Sequence, residues 1–490
     1  MSRETIAPGW ARKTAERVVE THGDGPHVVV TGISPSGNIH NLREVLVAEA
    51  VANALRERGL EVRFIFHADT IDPLRKIAPG VPESFEEYLG HSLSHVPDPE
   101  GCHVSYADHF LVPFEESLRE MGMNIEVLRS HELYENGVYT DVTRDAVEHT
   151  EDLRRILEEV SGREMPESWS PYQPRAASGD LTGNRVTGHL PDENKVVFVD
   201  RAGNEGAADY SKGEGKLGWR VELAARWKAL GVTFEPFGKD HTSRGGSTDT
   251  ADRISRQVFH YPVPGRYEYE WNYIKGQGAM SSSKGIVLLP KDLLRIMLPD
   301  ALRRMFLGRD PARAIELDLG EGFPRFMDEY RAEAGEPPVP FLHLVTVAQT
   351  VGEDTQAAAG MLRRGGDDEV ARDPEKLARD LHYARNWAEE WAPEPLRLRV
   401  LGAEESVEAA VGLDGEQRAY LAAVAGKLDP DMEGETVQDL LYSTAIEREI
   451  KPKRAFIALY TVLLGKKSGP KAGPFVAGLP IEIVRDRLSV

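Results

Sequence analysis

The stretch HVVVTGISPSGNIHNLREVLVAEAVANALRERG (27–59) decides the fold of this chain. Residues 27–33 form an apolar run that predicts a buried strand, and from Leu42 onward apolar residues recur at helical spacing. Gly37 lies in the turn between them. Such a junction directs the N–H groups of the helix N-terminus at an anion, and His40 can donate to a phosphate oxygen. The stretch therefore predicts a nucleotide-binding turn.

A second stretch, GAMSSSKG (278–285), supplies a positive charge. Lys284 places an ammonium on a loop of small hydroxyl residues, where it can follow the charge that develops as pyrophosphate leaves. Alone, such a run is typical of an ordinary polar loop. Its order and separation relative to 27–59 favour chemistry on a nucleotide.

The two stretches resemble the two nucleotide-binding signatures of class I aminoacyl-tRNA synthetases. Further stretches are similar, nearly word for word, to the class I lysyl-tRNA synthetases found mainly in archaea. The resemblance is dense from about 31 to 307 and thinner beyond. The stretches that carry it are DPLRK (72–76), VPDPEGCHVSYADHF (96–110), WRVELAARWKALGV (219–232), EPFGKDHTSRGGSTD (235–249) and YEWNYIKG (269–276).

The resemblance implies that ATP with Mg²⁺ activates L-lysine, which is then transferred to tRNA(Lys). The lysine carboxylate attacks the α-phosphorus of ATP, so catalysis is mostly alignment and neutralisation of phosphate charge. His40 and Lys284, with a magnesium ion, are the predicted catalytic groups. The terminal 2′-hydroxyl of tRNA then takes the lysyl group. The predicted ATP-binding residues are Ser36, Gly37, Asn38, His40, Asn41, Met280, Ser281, Ser283 and Lys284.

Recognition of lysine requires that desolvation of an ammonium be offset by a carboxylate, aromatic faces and hydrogen-bond acceptors. Trp219 and Tyr269 could flank the aliphatic stem, although a lone tryptophan at the start of an apolar helix is often a core residue. Asp240, or alternatively Glu270, could meet the ammonium. The predicted lysine-binding residues are Gly32, Ser34, Trp219, Asp240, His241 and Tyr269.

Strand and helix signals alternate through about the first 290 residues, which predicts an α/β domain with a parallel sheet covered by helices. The strand candidates after 27–33 include EVRFIFHAD (61–69), 195–200 and 232–237. The resemblance implies a Rossmann-type, doubly wound sheet rather than a barrel.

Three regions are predicted along the chain. The catalytic domain covers 1–290 and includes an insertion at about 72–218, a connective domain that in the resembled family helps to bind the acceptor end of tRNA. After Lys284 the pattern becomes helical. We expect a helical linking region at 291–330 and an all-α domain at 331–490, which in that family surrounds the anticodon.

Asp98, Cys102, His103 and His109 have side chains that can all ligate zinc, at the spacing D-x3-C-H-x5-H. The resembled family has a structural zinc at the matching segment, so one Zn²⁺ is predicted here; the alternative is a buried thiol beside two surface histidines. A second, paired-cysteine cluster found in many relatives is not expected. Arg175 and Ser178 stand where its first pair of cysteines should be.

Composition limits the class of protein. The chain has 490 residues, one cysteine and no apolar run long enough for a membrane span, so a cytoplasmic protein of several domains is expected. The net charge of −21 suggests adaptation to high salt and repels nucleic acid unless cations are gathered locally. Residues 446–490 carry nine Lys and Arg against four Asp and Glu. They could be a tRNA contact or a solvated surface.

One departure from the family pattern leaves alternatives open. His40 is followed directly by Asn41, so two residues, including a glycine, are missing from the first signature. A catalytically weak or silent paralogue that binds tRNA or nucleotide is therefore one alternative. A glutamyl-type class I synthetase is another.

Overall fold

The computed structural model of the chain describes residues 7–33, 39–78, 80–276, 278–279 and 288–490. They form two compact units: one comprises 1–294 and 302–317, the other 295–301 and 318–490. The first unit contains a parallel sheet with helices, and the second is built from helices.

The core of the first unit is a five-stranded sheet in which all neighbours are parallel. The strand order β10-β9-β1-β2-β3 places the first strand at the centre. The chain thus runs outward on one side of β1 and returns on the other, which confirms the predicted doubly wound α/β fold. The strands are β1 His27–Ile33, β2 Val62–Ala68, β3 Glu126–Arg129, β9 Phe234–Gly238 and β10 Gly265–Tyr269.

Strand β1 is central because its residues suit burial on both faces. All seven of its residues pair with β2, from His27 opposite Val62 to Ile33 opposite Ala68, and the side chains of Val29 and Val30 are fully buried. A parallel strand covered by helices on both faces reads as a continuous apolar run. The helices of this unit are α1 Gly9–His22, α2 Ile39–Glu57, α3 Tyr106–Glu120, α4 Ser130–Glu135, α5 Thr140–Glu148, α6 Thr150–Ser161, α7 Trp219–Leu230, α8 Lys239–Thr242, α9 Ser247–Gln257 and α10 Pro290–Leu294.

The segment between β3 and α7 contains two small antiparallel sheets. The candidate strand at 195–200 lies in one of them, not in the parallel sheet, because it pairs with hairpin neighbours on both sides. Alternating burial along Lys195–Val199 fits a sheet with one covered face. The strands are β4 Tyr172–Pro174, β5 Arg185–Leu190, β6 Lys195–Val199, β7 Glu205–Asp209 and β8 Gly215–Leu217.

The chain becomes mostly helical after a third small sheet, which is formed by β11 Asn272–Ile274, β12 Gly278–Ala279 and β13 Ile315–Leu317. No helix in the described part of the chain is long and apolar enough to cross a membrane. The remaining helices are α11 Pro299–Leu307, α12 Phe323–Glu333, α13 Phe341–Val351, α14 Thr355–Gly365, α15 Pro374–Glu390, α16 Ala403–Ala409, α17 Gly415–Lys427, α18 Gly434–Glu447, α19 Pro452–Leu464, α20 Ala472–Gly478 and α21 Ile481–Leu488.

A buried arginine fixes α2 against the chain that follows β10. The Arg43 side chain donates to the backbone oxygens of Glu270 at 2.6 Å, Pro311 at 2.8 Å and Arg313 at 2.7 Å, and to the Asn272 side chain at 2.7 Å. Burial lowers the pKa of Arg43 to about 10. The planar fork reaches several acceptors that a single ammonium could not.

We expect Arg43→Lys to lower the free energy of unfolding by about 2–4 kcal/mol, because several buried carbonyl oxygens lose their donors. Chemical denaturation would measure the change. Arg58→Lys, at an exposed position just beyond α2, is the control and should change stability by less than about 0.5 kcal/mol. Equal losses in the two variants would contradict the role given to Arg43.

Candidate active site

The topological switch point of the sheet lies between the carboxyl ends of β1 and β9, where open α/β sheets bind their ligands. Strand β1 reaches this edge at Gly32, β9 at Gly238 and β10 at Tyr269. Asp240 and His241 follow on α8. Topology therefore brings four of the predicted lysine-binding residues to one edge of the sheet.

A carboxylate that the sequence did not single out, that of Glu44, lies at this edge. One of its oxygens accepts from the Thr31 hydroxyl at 2.8 Å and from the Gly32 N–H at 3.2 Å, and the other accepts from the Tyr269 hydroxyl at 2.6 Å. Burial raises the pKa of Glu44 to about 7, and the nearby carboxylate of Glu235 adds to the rise, although the three hydrogen bonds oppose it. Among the described residues, no cationic side chain pairs with Glu44. This carboxylate suits a cationic group of a ligand.

The aromatic side of the site is formed by Trp219 and His241, whose ring centroids lie 6.4 Å apart. Trp219 is the first residue of α7 and is partly buried, packing against the core of the first unit. His241 Nδ1 lies 3.0 Å from the Ser247 hydroxyl, which orients its ring. Trp219 thus contacts the core and also faces a predicted site residue.

The two carboxylates proposed from the sequence for the ammonium differ in their surroundings. Glu270 forms an ion pair with Lys239, whose ammonium lowers the pKa of Glu270. The side chain of Asp240 is 47% exposed, and its carboxylate lies 3.6 Å from His241 Nε2. Glu44 is more enclosed than Asp240, and unlike Glu270 it is not already paired.

Beneath the switch point lies a buried ionic network centred on Arg226. The guanidinium pairs with Glu235, lies 3.2 Å from His67 Nδ1 and is 3.9 Å from Asp69. Burial alone lowers the pKa of Arg226, but Glu235 and Asp69 outweigh it and hold the pKa above the ordinary value. A Cβ added to Gly32 would overlap this guanidinium. The strand end must therefore be glycine.

The Arg226 guanidinium also lies 5.8 Å from the centroid of the Trp219 ring, in the geometry of a cation–π contact. The other oxygen of Glu235 accepts from Trp227 Nε1 at 2.6 Å. One network therefore holds the end of β1, the start of α7 and strand β9 together around the site.

Several predicted site residues lie outside the described residues. The start of α2 is described from Ile39, three residues before the helical spacing begins, and Asn41 lies partly buried in its first turn. The residues and side chains that the description does not include are Ser34, Ser36, Gly37, Asn38, the side chain of His40, Met280, Ser281, Ser283 and Lys284.

The four predicted metal ligands come together in the described structure. Their ligand atoms all lie within 4.8 Å of one another. Cys102 Sγ is 3.0 Å from His103 Nδ1 and 3.4 Å from His109 Nδ1, and Asp98 lies 3.3 Å and 3.2 Å from the same two nitrogens. Tetrahedral zinc with N, O and S ligands separates neighbouring ligand atoms by about 3.3–3.6 Å, so this cluster fits a zinc ion with small adjustments.

Asp98 is held in place by its own loop. Its carboxylate accepts from the backbone N–H groups of Glu100 at 2.7 Å, Gly101 at 2.9 Å and His103 at 2.7 Å. Burial alone raises the pKa of Asp98, yet these donors and the Cys102 thiol bring it well below its ordinary value. The carboxylate is therefore ionised and oriented at neutral pH, as a metal ligand must be.

The loop at 174–184, where many relatives carry a second cluster that is not expected here, is held by hydrogen bonds. The backbone N–H of Ala176 donates to Asp180 at 2.9 Å, and the Asn184 amide donates to Pro174 and Asp180, each at 2.8 Å. The Arg175 guanidinium lies 3.1 Å from His95 Nε2. These contacts fix the loop through polar side chains.

The model of the family described as "tRNA synthetases class I (K)" matches residues 8–338. This chain belongs to the class I tRNA synthetases. It is similar to relatives named lysine--tRNA ligase along nearly its whole length. The relative from Archaeoglobus fulgidus is 40% identical and the alignment covers 94% of this chain and 96% of the relative. For Lysine--tRNA ligase 1 of Methanosarcina acetivorans the identity is 37%, with 96% and 95% covered.

Among solved structures, similarity to this class I synthetase is found at low identity. A glutamate tRNA ligase from Elizabethkingia meningosepticum, solved with its amino acid, aligns with 95% of this chain and 98% of its own at 14% identity and a TM-score of 0.46. The relatives in sequence, not this structure, establish the family.

In this class I synthetase, sequence reasoning did not single out Glu44, which lies beside the predicted site residues Gly32 and Tyr269. The usable signal was a glutamate directly before the apolar run Val45–Ala48 of α2, at a position where a charged residue needs a partner or a function. Arg226 and Glu235 carried the same signal, because both lie in apolar segments that cover the sheet. Their partners are distant in sequence and became visible only in the fold.

Arg226→Met should lower the free energy of unfolding by about 3–5 kcal/mol, since it leaves the buried carboxylates of Glu235 and Asp69 without their cation. Thermal or chemical unfolding monitored by circular dichroism would measure it. Arg155→Met, on the exposed face of α6, is the matched control and should cost less than about 0.5 kcal/mol. A loss below about 1 kcal/mol for Arg226→Met would mean that the network does not depend on this charge.

Proposed function

We propose that this class I synthetase attaches L-lysine to tRNA(Lys) through a lysyl-adenylate, using ATP and Mg²⁺, in the cytoplasm. The observation that supports the proposal is the Glu44 carboxylate, partly buried at the switch point and, among the described residues, hydrogen-bonded to neutral donors alone. An ε-ammonium would supply the missing positive charge. The relatives named lysine--tRNA ligase support the same reading.

In the proposed reaction, the Glu44 carboxylate forms an ion pair with the ε-ammonium of lysine. Tyr269 orients the Glu44 carboxylate through its 2.6 Å hydrogen bond. Trp219 and His241 line the stem of the substrate, and Gly32 leaves room at the strand end. Alignment of the lysine carboxylate with the α-phosphorus is then the main contribution of these residues. The phosphates of ATP are contacted by Asn41 and by the predicted groups that lie outside the described residues, including His40 and Lys284.

A glutamyl-type synthetase is less favoured, because Glu44 would place a second carboxylate beside the side chain of glutamate. Like charges at close range in a partly buried site cost several kcal/mol. The buried carboxylates of Asp69 and Glu235 make the surroundings still less suited to an anion.

The decisive experiment is ATP–pyrophosphate exchange measured with each of the twenty amino acids. We expect exchange with lysine alone. Exchange with glutamate instead would establish the glutamyl-type alternative. Binding of tRNA without exchange for any amino acid would establish the silent paralogue that the shortened first signature raises.

Glu44→Gln should raise the KM for lysine in the exchange assay by about 10²-fold or more, because an ion pair in a partly buried site becomes a neutral contact. The wild-type KM should also depend on pH. A carboxyl with a pKa of about 7 is protonated below that pH. Lysine must displace this proton when it binds, so lysine binding weakens as the pH falls through 7. Glu44→Gln should abolish this dependence.

The control for that variant is Glu20→Gln, an exposed carboxylate on α1. It should leave the KM for lysine and its pH profile unchanged. A Glu44→Gln enzyme with wild-type KM and wild-type pH profile would show that another carboxylate, with Asp240 next in order, meets the ammonium.

We also propose that Asp98, Cys102, His103 and His109 hold one structural Zn²⁺. The fit rests on the mixed S, N and O donor set and on the close spacing of the four ligand atoms. The ion would join the loop before α3 to the first turn of that helix, where His109 lies. Binding energy of such an ion contributes directly to folding.

Cys102→Ala should remove a stoichiometric zinc and lower the unfolding temperature by several degrees, since a metal bound only by the folded state adds to stability. Elemental analysis of purified protein and a thermal melt with and without chelator measure the two effects. His149→Ala, at an exposed histidine distant in sequence, should keep the metal. The zinc site would be contradicted if purified wild-type protein contained no metal and its unfolding temperature did not change on addition of Zn²⁺.

For the second unit we propose the anticodon-binding role expected from the family. Part of its basic surface is already used inside the fold: Arg454 pairs with Asp414 and Glu416, and Lys466 donates to the backbone oxygen of Glu394 at 2.9 Å. Other cations of this surface are exposed and have no ion pair among the described residues. These are Lys451, Lys453, Lys467 and Lys471.

A further inference from the structure

A small cavity in the second unit has a buried arginine, Arg331, in its wall. The cavity lies between helices α12 and α15, and we call it the α12–α15 cavity. Its volume, counted as the space open to the centre of a water molecule, is about 20 Å³. About 10–15 Å³ of such space holds one water molecule. The cavity therefore has room for one particle of about that size.

Arg331 contributes two N–H donors that no described residue accepts. Its side chain is 8% exposed, and its Nη1 donates to the Asp380 carboxylate at 2.8 Å. The Nε and Nη2 nitrogens are buried and have no hydrogen-bond partner among the described residues. They form one edge of the planar guanidinium, which can hold an acceptor through two hydrogen bonds. Buried donors are nearly always satisfied in a folded protein, so we expect an acceptor in the cavity.

The two carboxylates in the wall of the cavity are already paired with cations. Asp380 accepts from Arg331 and also from Arg379, whose Nη2 lies 3.1 Å away. Glu336 forms an ion pair with Lys376. Three cations thus share two carboxylates around the cavity, and one positive charge is not balanced by the acids of the wall.

The pKa of Lys376 reflects this excess of positive charge. Burial lowers the pKa of Lys376, the Asp380 carboxylate raises it, and the two guanidinium groups lower it again. One further acid, Asp300, acts on the cavity through Tyr330, where it adds to the rise in pKa that burial causes. Asp300 is not part of the wall. The wall itself therefore favours an anionic occupant.

The rest of the wall helps to distinguish an anion from water. Apolar side chains of Leu298, Met327 and Phe341 line the cavity. A water molecule is held best when it both accepts and donates, and its two hydrogens would compete here for carboxylates that cations already occupy. A halide ion accepts hydrogen bonds without donating any and can lie against apolar carbon. It is also close to water in size, whereas a phosphate group is much larger.

We propose that the α12–α15 cavity binds one monoatomic anion, ordinarily chloride, on the Nε–Nη2 edge of Arg331. The ion satisfies the two unpaired donors and balances the extra positive charge of the wall. An ion bound by the folded state alone stabilises that state. The stability of the second unit then depends on chloride itself, in addition to the general screening of surface charges by salt. This inference does not depend on which amino acid the enzyme activates.

The test measures the unfolding temperature of the full chain in sodium chloride and in sodium gluconate. Equal ionic strength keeps the screening of surface charges constant. The unfolding temperature should rise with chloride along a saturating curve, by about 5 °C when chloride is about 100-fold above its Kd. Bromide should act in the same way. Crystals grown in bromide should show an anomalous scattering peak within hydrogen-bonding distance of Nε and Nη2 of Arg331.

Two variants and a control locate the effect. Arg331→Lys keeps the positive charge but lacks the Nε–Nη2 edge, so its unfolding temperature should be the same in chloride and in gluconate, whatever its absolute value. Arg379→Gln removes one cation from the wall and leaves Arg331 in place, so its curve should move to higher chloride concentration. Arg325→Lys, at an exposed position of α12, should keep the wild-type curve.

Each other outcome overturns the inference. Equal unfolding temperatures of the wild-type protein in chloride and in gluconate would mean that the cavity holds only water. A chloride effect of the same size in Arg331→Lys would assign the effect to the protein surface. If Arg331→Lys does not fold, the other measurements decide: an unshifted curve for Arg379→Gln together with no bromide peak at the cavity would reject the site.

Discussion

The contact between the Arg226 guanidinium and Gly32 is the constraint on which the arrangement of the site depends. The guanidinium occupies the space where any larger residue at position 32 would place its Cβ. It also pairs with Glu235 on β9 and lies against Trp219 at the start of α7. One buried charge thus sets the end of the central strand, the neighbouring strand and the aromatic wall.

This arrangement explains why Glu44 is placed to accept a cation. Arg226 is committed to Glu235 and Asp69 on one side of Gly32, while the Gly32 N–H points to Glu44. Burial raises the pKa of Glu44 to about 7, Glu235 adds to the rise, and a cationic ligand at this position would favour the ionised form. The buried charges that stabilise the network therefore also affect the pKa of Glu44.

The sequence predicts the fold well because local and global signals agree. The apolar run at 27–33 is both a strand former and long enough to cross a two-sided sheet, and its seven residues all pair with β2. The strand at 195–199 shows what periodicity does not predict: the pattern indicates a strand but not which strands it pairs with. The cluster of candidate metal ligands was predictable because its members lie within twelve residues of one another. The contacts of Glu44 and Arg226 could not be predicted from the sequence, because folding brings their partners together from distant segments.

Several cations of this chain are buried or are paired with acids inside the fold. Arg43 and Arg226 are buried within the first unit. Lys216 is 2% exposed and lies between two carboxylates, and Arg454 forms an ion pair within the second unit. The buried cations lie together with buried acids such as Asp69, Glu222 and Glu235, so the outer surface keeps a net charge close to −21. Repulsion of a polyanion is then the default over most of the molecule. Recognition of RNA must be local, at places where unpaired cations stand on rigid segments. High salt would screen the repulsion and the attraction alike, so geometry at those few places, rather than the overall field, would determine where RNA binds.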